Sequence, residues 1–105
     1  MRRVNEAIRE VVADSLTAGL KDPRIGFVTV THVDTSPDLR NARVLVSVLG
    51  DESERSKTLD GLNSARGFLQ SRIGSELGLK RTPELSFEYD ESLERGDRIA
   101  RLLEE

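Results

Sequence analysis

The spacing of apolar and polar positions divides the chain into a short series of elements. From residue 2 to 20, Val4, Ile8, Val11, Val12 and Ser15 fall near one face at about 100° per residue, which predicts an amphipathic helix. Leu16 and Leu20 lie beside that face, as they do where a helix meets two neighbours. Gly19 and Asp22-Pro23 end it, because proline disfavours helical dihedrals in the residue before it. Residues 26–36, GFVTVTHVDTS, are rich in β-branched side chains and predict a strand. Strict alternation there puts Phe27, Thr29, Thr31 and Val33 on one side and Val28, Val30 and His32 on the other, so both sides are partly apolar. Ser36-Pro37-Asp38-Leu39 predicts a turn. Residues 42–50, with Val44, Val46 and Val48 alternating against Arg43, Leu45 and Ser47, predict a second strand antiparallel to the first. At 84–90, Leu85, Phe87 and Tyr89 alternate with Ser86, Glu88 and Asp90, a third strand with one buried face. Ser92 then caps a last helix reaching about Leu103, with Ile99, Leu102 and Leu103 as its apolar residues.

The segment between the second and third strands is the least ordinary. Leu59, Leu62, Ala65, Leu69, Ile73 and Leu77 form one helical stripe, yet Gly67 sits inside it, and glycine costs about 1 kcal/mol relative to alanine in a helix interior. Phe68 falls roughly 100° off the stripe at ~100° per residue. A break at Ala65-Arg66-Gly67 accounts for both: Gly67 leaves helical dihedrals at little steric cost, and Phe68 turns inward. The expected fold is therefore α+β, in the order α-β-β-α(kinked)-β-α, with a three-stranded sheet and helices packed on one face.

Composition adds limits. A chain of 105 residues is expected to form a single domain spanning 1–105. It has no cysteine and one histidine, His32, which argues against a thiolate metal site or a nucleophilic dyad. No G-x-x-x-x-G-K-[ST] phosphate loop occurs. Asp34, Asp38, Glu88 and Asp90 are acids near strand ends, a weak signal for a magnesium site. The first ten residues lack the apolar run of a secretory leader, and no stretch approaches the roughly 20 apolar residues of a membrane span. The net charge of −3 conceals a division: residues 55–81 hold six basic and two acidic side chains, whereas residues 82–105 hold three basic and eight acidic ones. The kinked segment is the basic part of an acidic protein. A break of this kind starts a new helix with free N–H groups, a favourable place for phosphate.

Two helices divided by a glycine-containing break beside a three-stranded sheet is the plan of a type II KH-like RNA-binding domain, whose GxxG loop grips the nucleic-acid backbone. No G-x-x-G occurs here; Ala65-Arg66-Gly67 stands in its place. The chain resembles the ribosome-binding factor A family through an ordered set of short matches. These are Arg3-Val4, Lys21-Asp22-Pro23-Arg24-Ile25-Gly26, Val28-Thr29-Val30, Ser36 with Asp38-Leu39, Ala42 with Val44, Ala65 with Gly67-Phe68, and Pro83-Glu84-Leu85, Phe87, Tyr89-Asp90 and Ser92-Leu93. The resemblance implies a non-catalytic, cytoplasmic, monomeric factor without cofactor. Its implied partners are the 30S ribosomal subunit, 16S rRNA and other assembly factors, with roles in late rRNA processing and cold adaptation. Gln70 departs from a position often basic in the family, and any family tail after residue 105 is expected to be short or absent.

On this reading Arg66, Gly67, Arg72, Lys80 and Arg81 are the first candidates for RNA contact, with Arg3 and Arg9, and beside them Arg2, extending the patch along the first helix. Ala65, Gly67 and Phe68 form the structural kink. The bland reading of the helix-1 arginines is i,i+4 pairing with Glu6, Glu10 and Asp14. Asp22 is expected to fix its turn. The alternative function is a protein-interaction module that uses the acidic C-terminal part and a sheet edge.

Overall fold

The structure, a computed structural model, describes residues 2–18 and 22–91. The element order is α1 (Arg2–Ala18), β1 (Val28–Thr35), β2 (Asn41–Val48), α2 (Glu52–Ser64), α3 (Arg66–Leu77) and β3 (Glu84–Tyr89). The final helix expected from Ser92 lies outside the described residues. β2 is central: it pairs antiparallel with β1 and parallel with β3. The hairpin turn is locked by its own side chains. Ser36 Oγ donates to Asp38 Oδ1 at 2.6 Å, the same carboxylate oxygen accepts the Arg40 N–H at 3.0 Å, and Leu39 takes a left-handed φ of 61°. Those hydrogen bonds, the Ser36 hydroxyl first, hold the Asp38 carboxyl below its usual range.

The register explains why β1 is apolar on both parities. A bulge lies between Val30 and His32, so Thr31 has no partner of its own in the ladder. One extra residue reverses the side-chain alternation. Before the bulge Val28 and Val30 point into the core; after it Val33 and Thr35 do. Strict alternation would place Val33 with Phe27, and the structure corrects that. Thr31 Oγ1 lies 3.2 Å from Leu45 O and 2.5 Å from Asp90 Oδ2, bridging across β2.

All described helices contribute to one core, on one side of the sheet. Ile8, Val11 and Val12 of α1, Leu62 of α2, and Leu69 and Ile73 of α3 meet Val30, Val33, Val44, Val46, Leu85 and Phe87. The opposite side carries the cross-strand rows Thr29–Ser47, His32–Leu45–Glu88 and Asp34–Arg43–Ser86. There Arg43 Nε pairs with Glu88 Oε2 at 2.6 Å. Three of the four strand-end acids are thus occupied, Asp38 by Ser36 and the Arg40 N–H, Glu88 by Arg43 and Asp90 by Thr31. No group of three or more metal-donor side chains converges among the described residues. Nor is any described helix long and apolar enough to cross a membrane.

Candidate nucleic-acid interface

The break between α2 and α3 is real but is made by Ala65, not Gly67. Ala65 has φ −85° and ψ 0°, and serves as the last cap of α2 and the first of α3. Its N–H is shared between Gly61 O at 3.0 Å and Leu62 O at 3.1 Å, and its own carbonyl accepts the Leu69 N–H at 3.0 Å. Gly67 lies inside α3, and a Cβ added there would meet nothing within 4 Å. A one-residue interruption of this type barely changes the helical phase. Leu62, Leu69 and Ile73 stay within roughly 20° of one stripe, as on an ideal helix, and all three are buried. Phe68 therefore does not turn inward; it is 59% exposed on the first turn of α3.

The loop before β1 presses on the break. Asp22 accepts from Arg24 at three points: the backbone N–H (3.0 Å), Nε (3.0 Å) and Nη2 (2.6 Å). These bonds, the side-chain ones first, lower the Asp22 carboxyl to about 2. Arg24 Nη2 also donates to Ser64 Oγ at 3.0 Å, one residue before the break. Thr58 Oγ1 bonds the Arg24 carbonyl at 3.3 Å. Gly61 is what permits this approach, since a Cβ there would stand 2.6 Å from Ile25 Cγ1. The expected role of Asp22 in fixing its turn agrees with this geometry, which also extends it to α2.

The predicted cations divide into engaged and free. Arg72 is turned inward: Nη1 donates to Ser15 Oγ of α1 at 2.6 Å and Nε to Glu76 Oε1 at 3.0 Å. Arg66 lies half-buried, with Nη1 3.5 Å from Leu85 O, beside Gln70, whose Oε1 accepts the Leu85 N–H at 3.0 Å. α3 thus closes part of the outer edge of β3 with Arg66 and Gln70, one turn apart. Lys80 and Arg81 are exposed in the α3–β3 loop. α3 has 12 residues, about 18 Å at the usual rise, so they sit far along it from the break. On α1, Arg2, Arg3 and Arg9 are exposed, and the i,i+4 pairs with Glu6, Glu10 and Asp14 do not form; none of these arginines has an ion-pair partner among the described residues. Arg2 and Arg9 instead line a groove of about 360 Å³ between α1 and β1, with Asn5, Glu6, Thr31, His32 and Val33.

A family model for ribosome-binding factor A matches residues 1–103. The chain belongs to the ribosome-binding factor A family. Solved structures agree. A Thermotoga maritima protein assigned as a ribosome binding factor A, determined by NMR, is 37% identical with a TM-score of 0.75, covering 83% of each chain. The crystal structure of ribosome-binding factor A from Thermus thermophilus is 25% identical with a TM-score of 0.73, over 84% of this chain and 93% of that one. A homology model of the Thermus thermophilus factor, fitted into the cryo-EM map of its complex with the 30S subunit, is 26% identical with a TM-score of 0.66, over 81% and 89%.

Sequence reasoning missed Phe68 as a surface ring, His32 and Asn5 as groove residues, and Arg24 as a neighbour of the break. The signal for Phe68 was present, since it lies off the buried stripe. The signal for His32 was hidden by the bulge.

Proposed function

We propose that this chain is a non-catalytic assembly factor that binds the small ribosomal subunit through its RNA and assists late maturation of 16S rRNA. The observation that carries the reading is the family match over residues 1–103. The geometry suggests the means. α3 begins without a side-chain cap, and the start of a helix is a favourable place for phosphate. Phe68 is an exposed ring beside it on which a base can stack. Lys80 and Arg81 supply charge without intramolecular ion pairs among the described residues. In this reading the fold is a single type II KH-like domain in which Ala65-Arg66-Gly67 replaces the GxxG grip, and the protein works as a cytoplasmic monomer, with a part in cold adaptation and alongside other assembly factors. It acts by binding one arrangement of the RNA better than another, which shifts the population toward that arrangement.

The test is co-sedimentation with isolated small subunits, mature and immature, over a salt series. Wild type is expected in the subunit pellet at low salt and is released as salt rises. Phe68→Ala with Lys80→Gln and Arg81→Gln should weaken binding on the order of 10- to 100-fold, from one stacking contact and two phosphate contacts. Absence of wild-type binding to either subunit form at low salt overturns the reading.

A further inference from the structure

We infer that the groove between α1 and the free edge of β1 is a second phosphodiester-binding site, separate from the α2–α3 break. This rests on the RNA-binding reading and goes beyond it by naming a site on the far side of the sheet from β3. Residues 2, 5 and 9 follow the three-and-four spacing of one helix face. Arg2, Asn5 and Arg9 accordingly line the same groove, opposite His32 and Val33 of β1.

Three features make the groove suited to an oxyanion. First, its arginines have no ion-pair partner among the described residues, whereas Arg24, Arg40, Arg43 and Arg72 each pair with a carboxylate. Second, Asn5 is oriented: its Oδ1 accepts the Thr35 N–H at 3.0 Å, which leaves the amide NH₂ as a donor to other groups. Third, the edge strand adds backbone donors. Ser36 donates to Asn41 O across the ladder, so Thr35 and, by antiparallel alternation, Val33 turn their N–H groups outward. Thr35 is taken by Asn5; Val33 faces the groove.

The charges around the groove favour an anion. From α1, Arg2 and Arg9 outweigh Glu6, the acid in the lining. On the outer face of the sheet, Leu45 and Glu88 share the row of His32, and Glu88 is neutralised by Arg43. Asp34, opposite Arg43 in the register, does not line the groove. The bulge at Thr31 sets this arrangement, because it turns His32 from the core parity to the exposed one.

The shared chemistry of a nucleic-acid phosphodiester and a free phosphate ion is separated by the choice of probe. In NMR titrations of the full chain, a single-stranded uridine decamer is expected to shift the Arg2 and Arg9 Nε–H and His32 ring signals, and inorganic phosphate at equal phosphorus concentration is not. Equal shifts from inorganic phosphate overturn the assignment to RNA, and no shift from the decamer overturns the site. In subunit co-sedimentation, Arg2→Gln/Arg9→Gln should weaken binding on the order of tenfold and reduce the salt slope by about 1.5, with its thermal midpoint unchanged because both residues are exposed. Its effect should multiply with that of Lys80→Gln/Arg81→Gln, as independent sites require. An unchanged slope in Arg2→Gln/Arg9→Gln overturns the second site while leaving the ribosomal reading intact. Failure of wild type to bind subunits overturns the ribosomal reading, and the decamer titration still decides the groove.

Discussion

The break between α2 and α3 and the groove between α1 and β1 both carry arginines, but they use them differently. At the break, Arg24 is held by Asp22 and Ser64, Arg72 by Ser15 and Glu76, and Arg66 lies against the β3 backbone. In the groove, Arg2 and Arg9 have no such engagement. The denser cluster of positive charge in the sequence is thus divided, with Arg66 and Arg72 tied into the fold and Lys80 and Arg81 exposed, whereas the sparser one is available to a partner. Counting cations along a segment measures neither their reach nor their freedom. Packing decides which remain accessible.

Changes at the break should act chiefly on stability, and the largest belongs to Gly61. Gly61→Val places a branched side chain against Ile25 and should cost about 1–3 kcal/mol by overpacking. A domain of this size then loses roughly 4–8 °C of thermal midpoint per kcal/mol. Differential scanning calorimetry reads this directly, and a midpoint within 2 °C of wild type, about half of what the smallest expected cost implies, would show that the loop does not press on α2. Next is Arg72→Ala, which removes the tie between α1 and α3. A loss of about 1–2 kcal/mol in urea unfolding is expected, with little further loss of RNA affinity once folding is matched. A large binding defect in the fully folded variant would erase the contrast between the two regions.

Acid titration sharpens the comparison. The Asp22 carboxyl falls from 3.8 in the free group to about 2 in the fold. A depressed carboxyl stabilises the folded state above the unfolded value, and that contribution disappears as pH drops from about 4 to about 2. Asp22→Asn should therefore flatten the loss of stability across that window, measured as the urea midpoint against pH; a parallel curve would assign acid sensitivity elsewhere. The smallest effect is expected at Gly67. Because its site is open and helical, Gly67→Ala should raise stability by up to about 1 kcal/mol and leave the break in place. Lower stability would restore Gly67 as the hinge.

Much of the fold was legible in the sequence, because its signals are local and periodic. The three strands, the hairpin, the α1 face and the buried stripe through Leu62, Leu69 and Ile73 all lie where alternation and helical spacing place them. The interruption of the long helix was legible too, within Ala65-Arg66-Gly67, but which of those residues makes it was not. Gly67 drew attention as the residue most free to bend, whereas the contacts beside the break are tertiary: the Arg24–Ser64 bond and the approach to Gly61 join residues roughly 35 to 40 positions apart. The engagement of Arg72 with Ser15, 57 positions away, was hidden for the same reason. In β1 a single unpaired residue, Thr31, reversed the parity of all that followed, and no local pattern marked it.

That one residue has a further consequence. β1 is an outer strand of the sheet, and a long, flat outer strand is a template on which a second chain can assemble. At Thr31 the ladder slips, the local twist increases, and the row of outward N–H and C=O groups loses its regular spacing. An incoming strand finds about half a strand in register on either side of the bulge and continuity across neither. The irregularity that redirects His32 thus also guards the sheet against fibrous self-association.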